Sequence, residues 1–154
     1  MSAALAGPAD AATRYSDPTT VCSAPAGDPY LPFDRRGGHI KLNQSYTPIY
    51  VPTYREEPTS GKADFTVAND PVLLEGYDQT ARLDWKNLTT GASGTVTIKQ
   101  HPFGEMPVSV VKAVPTGKGR VQVTAHITNS GLAALGSSDR VQRASCVGAP
   151  FTVV

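Results

Sequence analysis

What this chain of 154 residues has little of narrows its class before anything it contains. It lacks an excess of either charge: 14 basic against 13 acidic residues leave +1, too weak a field to steer the protein toward nucleic acid or an acidic membrane. It has no stretch near the roughly 18 apolar residues that a membrane helix needs. Good helix-forming runs are scarce, whereas 14 Gly and 13 Pro favour strands joined by turns. Motifs of chemistry are missing too. His39, His101 and His126 stand far apart with no H-x-H, HExxH or neighbouring cysteine, and GASG at 91–94 is not the G-x-S-x-G elbow. No cofactor is expected, and the reading leans away from an enzyme.

What is present points to one exported domain. With 40% hydrophobic residues the chain can bury a single ordinary core. Its two cysteines, Cys22 and Cys146, sit near opposite ends in no zinc-like spacing, so a disulfide is the economical pairing, and one expected only in an oxidising compartment. The alternative is a pair of reduced, buried thiols in a cytosolic protein. Residues 1–12 are small and apolar until Asp10, with Ala9-Asp10-Ala11 like the distal end of a secretory leader; an ordinary Ala-rich, disordered terminus is the other reading. Residues 13–37 carry four prolines and should run extended and irregular around the domain, which then occupies 38–154.

Alternation supplies the strands. In ARLDWKN, Ala81, Leu83 and Trp85 alternate with charged residues, and in RVQVTAHI, Val121, Val123, Ala125 and Ile127 share one phase, with His126 on the other. TVTIKQ alternates as well, and the apolar run VSVVKAV predicts a more deeply buried strand. Short intervals between these four predict an antiparallel meander on one sheet, closed by a second. Ser137 or Ser138 can cap a helical turn over 139–144, and PFTVV closes the fold as a strand. The expectation is an all-β, antiparallel, immunoglobulin-like β-sandwich built around an inward Trp85. The segment WKNLTTGASGTV resembles the Trp-strand and following hairpin of small secreted immunoglobulin-like proteins from actinobacteria. That resemblance implies the same fold and carries over no functional residue; Cys22 and Cys146 lie outside the core strands that antibody-type domains bridge.

The most unusual stretch is YTPIYVPTY, residues 46–54, where tyrosine and proline alternate with β-branched residues. Read as a strand, Pro48 and Pro52 remove backbone donors from one side, which predicts a sheet edge with Ile49 and Val51 turned to the core. Tyr46, Tyr50 and Tyr54 then either cover the outer surface or form a recognition stripe for a protein or glycan partner. Asn69, Asp70, Glu75 and Asp78 form an acidic loop of the kind calcium uses, without EF-hand spacing. Asn43 and Asn87 head glycosylation sequons. The leading expectation is a secreted or cell-envelope module that binds or builds. The alternatives are a small secreted hydrolase or metal-dependent enzyme from loop residues such as His101, Glu105 and Asp78, and a self-assembling surface subunit.

Overall fold

Residues 18–31, 37–70, 76–104, 108–131 and 140–154 are described by a computed structural model. They form nine strands: β1 (Thr19–Ala24), β2 (Gly38–Ile49), β3 (Arg55–Asn69), β4 (Asp78–Asn87), β5 (Ser93–Gln100), β6 (Val108–Val114), β7 (Gly119–Ser130), β8 (Val141–Val147) and β9 (Phe151–Val153). Two antiparallel sheets result, one ordered β1-β2-β3-β6 and the other β5-β4-β7-β8 with β9 also on β7. No helix occurs among the described residues.

Period-two alternation turns one side of each sheet inward. Ala81, Leu83 and Trp85 of β4 lie opposite Ile127, Ala125 and Val123 of β7, and all six are buried. Ile40, Leu42, Phe65 and Val67 face them from β2 and β3 in one continuous core. Each large side chain fully buried there stabilises the fold by about 1.5–3 kcal/mol. Gly94 pairs with Trp85 because only a bare Cα fits: a Cβ there would lie 2.7 Å from the indole. The Cys22–Cys146 disulfide joins β1 of one sheet to β8 of the other across 124 positions. Two edge strands are thereby stapled.

Buried polar side chains lock one end of the sandwich. Gln79 donates to Asn69 Oδ1 (2.8 Å) and Asn129 Oδ1 (2.9 Å), while its own oxygen accepts from Asn69 and Gln100. Ser109 donates to Gln100, Asn129 donates to the carbonyls of Ala26 and Gly27, and Gln142 donates to those of Asp28 and Leu31. This chain of amides runs from β6 through both sheets to the segment after β1. Removing one member would strand its buried partners without water, which is why such groups occur satisfied together.

Four expectations change. VSVVKAV does not continue the meander: β6 crosses to the other sheet and pairs with β3 as an edge strand, with Val108 and Val110 partly exposed. No helical turn covers 141–144, because Gln142, Ala144 and Cys146 alternate with exposed neighbours as β8; residues 137–139 lie outside the described set. Within the proline-rich segment, the six residues between Pro18 and Pro25 keep all their donors and pair with β2 as β1. Finally, residues 50–54 are a turn and not a strand. The fold is an all-β, antiparallel sandwich, with Trp85 on an inner strand of the five-stranded sheet and the sequential β2–β3 hairpin in the other.

Candidate functional site

The tyrosine stretch forms the end of an arm. β1 pairs with β2 only as far as Leu42, and β6 pairs with β3 only from Ala63 to Ala68. Beyond those points no other described strand pairs with β2 and β3, which continue as a two-stranded ribbon, Tyr46 opposite Pro58 and Ile49 opposite Arg55. Directly opposed residues share a face, so Tyr46, Pro48, Glu56 and Pro58 lie on one side and Thr47, Ile49, Arg55 and Glu57 on the other. Neither side is packed under the sandwich. Val51 is 78% exposed and Ile49 half-buried, so the expected core-facing role of these two residues does not hold. The proline reasoning survives in altered form: β2 is an inner strand of its sheet, but no described strand flanks it where Pro48 sits.

The root of the arm is clamped. A register shift between Gln44 and Tyr46 directs the buried Gln44 amide to the carbonyls of Ser45, Thr59 and Lys62, while its oxygen accepts from the Val154 N–H at 2.9 Å. Gly61, at φ +68°, donates to Val154 and accepts from Gly117. Further out, the hydroxyls of Thr47 and Thr59 bond across the ribbon, and Arg55 pairs with Glu57 at 3.0 Å.

At the tip, residues 50–54 turn through a cis Val51–Pro52 peptide. Tyr50 is 71% and Tyr54 60% exposed, their ring centroids 5.6 Å apart and tilted by 52°. Tyr54 donates to Glu56 at 2.8 Å; that bond, chiefly, holds its phenol above the ordinary tyrosine value, so the ring stays neutral at physiological pH. Tyr46 is half-buried nearer the root. The three tyrosines therefore occupy one arm, with two of them paired at its end. Chemically the tip offers aromatic and aliphatic surface with one free and one tethered hydroxyl, suited to contact and not to proton transfer.

The histidines are dispersed, and each meets an aspartate: His39 with Asp70 (3.2 Å), His101 with Asp78 (3.3 Å) and His126 with Asp84 (3.4 Å). The last pair belongs to a cluster on the outer face of the five-stranded sheet. There the Thr95 hydroxyl bond to Asp84, first, and then the Arg82 guanidinium hold the carboxyl below its usual range. His101 and Asp78 thus come together as the enzyme alternative required, while Glu105 lies outside the described residues. Of the acidic loop, Asn69 is engaged by Gln79, Asp70 by His39 and Asp78 by His101, while Glu75 lies outside the described residues. Among the described residues no group of three or more His, Cys, Asp or Glu side chains converges.

Both sequon asparagines are buried. Asn87 donates to the carbonyls of Thr116 and Lys118, and Asn43 to Gln44 and Asp64, so neither amide is open to a glycan in the folded protein. Sequence reasoning did not find Ser23, whose Oγ lies 2.8 Å from His39 Nδ1. Only the strand register brings the two together. In comparisons with known proteins, no family, curated protein or solved structure matched the chain.

Proposed function

We propose that this chain is a secreted or cell-envelope β-sandwich that holds a protein partner through the tip of the β2–β3 arm. The observation that carries the reading is the pair of exposed rings, Tyr50 and Tyr54, held on a clamped ribbon outside the core. Aromatic side chains of low rotamer entropy on a rigid support are the usual anchors of protein interfaces. The 52° tilt between the rings favours a protein over a glycan, because stacked sugars want a flat aromatic platform. Val51 and Pro52 beside them add apolar area. The Cys22–Cys146 bond supports export, since such bonds persist in oxidising compartments.

The test compares the oxidised protein with its Tyr50→Ala/Tyr54→Ala variant, each immobilised and exposed to surface extracts of the source organism. The expected result is a protein retained by the first and lost by the variant at equal melting temperature. Equal retention by both would refute the assignment. Sedimentation at high concentration separates this reading from self-assembly: growth in mass that the double variant abolishes would make a second copy the partner.

A further inference from the structure

Ser23, His39 and Asp70 come from three neighbouring strands and form one hydrogen-bonded line. Ser23 lies directly opposite His39, and His39 directly opposite Ala68. Asp70, two positions beyond Ala68 and just past the end of β3, returns to the same face. Ser23 Oγ is 2.8 Å from His39 Nδ1, and His39 Nε2 is 3.2 Å from Asp70 Oδ1. An ionised carboxylate only accepts, so Nε2 carries the ring proton. In the neutral imidazole Nδ1 then holds a lone pair, and the Ser23 hydroxyl donates to it. This is the polarity of nucleophile, base and orienting acid that recurs on unrelated folds and is recognised by roles, with the two ring nitrogens exchanged here relative to the serine-protease arrangement.

The surroundings suit that role. Cys22, next to Ser23, is tied to β8 by the disulfide, which fixes the strand carrying the nucleophile. Ser23 is exposed, while the His39 and Asp70 side chains are about two-thirds covered. β1 ends its sheet, and among the described residues no strand pairs with its far side, while the Val21 carbonyl accepts from the Ala149 N–H.

We propose that Ser23 is a nucleophile toward activated carboxylic esters, with His39 as its general base and Asp70 as a positioning residue. Ser23 Oγ bonds to the acyl carbon while His39 Nδ1 takes the hydroxyl proton and delivers it to the departing alkoxide. Alcohol leaves and acyl-Ser23 remains. Water, giving its proton to His39 Nδ1, then attacks the acyl carbon, releases the carboxylic acid and restores the serine. The net change is hydrolysis, with no oxidant or reductant.

The experiment uses the full-length oxidised protein and p-nitrophenyl acetate, following p-nitrophenolate release and mapping acetyl groups by mass spectrometry. On rapid acid quenching, up to one acetyl per chain on Ser23 is expected, trapped before water removes it and absent in Ser23→Ala, a change at an exposed position. His39→Gln should slow acylation about a hundredfold or more, the low end for loss of a general base. Asp70→Asn should lower the rate at saturating ester and leave the half-saturating concentration unchanged, as a positioning role requires. Absence of acetyl on wild-type Ser23, or acetylation no faster than at exposed Ser93 and indifferent to His39→Gln, would overturn the proposal. The site lies on the packed half of the sheet, apart from the arm.

Discussion

The two halves of the β2–β3 hairpin are built from the same kind of sequence and do opposite things. From Gly38 to Leu42 and from Ala63 to Ala68 the strands have neighbours on both edges, and nearly every residue up to Gln44 and Asn69 is covered, Asn43, Asp64 and Thr66 included. From Tyr46 to Pro58 the two strands pair, among the described residues, with each other alone, and Tyr50, Val51 and Tyr54 stand in solvent. Apolar area removed from water is what stabilises a fold. The inner half therefore carries stability and the outer half contributes little, which leaves the outer half free for recognition. Gln44 marks the boundary, its buried amide satisfying the backbone where one regime gives way to the other.

Breaking the packed half should cost most. Replacing Cys22 and Cys146 by serine frees a loop of 124 positions, and by loop-closure entropy stability should fall by about 5 kcal/mol, read from urea midpoints of the two proteins. Gln79→Leu should come next. It leaves Asn69, Asn129 and Gln100 short of a partner in a dry site, at about 1–3 kcal/mol for buried groups so abandoned, again from urea unfolding.

On the outer face of the same sheet the effect shrinks. The Asp84 carboxyl titrates lower in the folded protein than in the unfolded chain, so its contribution is present above the unfolded value and lost as pH falls through the folded one. Solvent screening keeps that contribution under about 1 kcal/mol. Urea midpoints of wild type and Asp84→Asn should differ at pH 6 and converge in acid, below the ordinary aspartate range. A gap that widened in acid would reverse the sign.

Legibility in the sequence followed the same division. β4 and β7 alternate cleanly because one face of each is buried and the other wet, so Leu83, Trp85, Val123 and Ile127 could be placed inward from spacing alone. Spacing places the apolar run of β6 in the wrong sheet and in the core, since Val108 and Val110 look the same on an exposed edge as in a core. YTPIYVPTY kept the period of a strand through residues that turn, and its alternation hid the reversal at Val51 and Pro52. β8 was obscured by the Ser-Ser-Asp sequence before it, which resembles a helix cap. The amide network and the Ser23–His39–Asp70 line depend on register between residues 16, 31 and 50 or more positions apart, which no local pattern encodes.

The smallest expected effect on stability belongs to the arm's tip, and it tests the central claim most directly. Melting and partner retention should be measured together for Tyr50→Ala/Tyr54→Ala. The double variant should melt within about 2 °C of wild type, as a change under about 0.5 kcal/mol implies for a chain of this size, and should lose the retained protein. A fall of about 10 °C or more would show that the rings belong to the fold, and unchanged retention would show that the arm does not bind; either result contradicts the account.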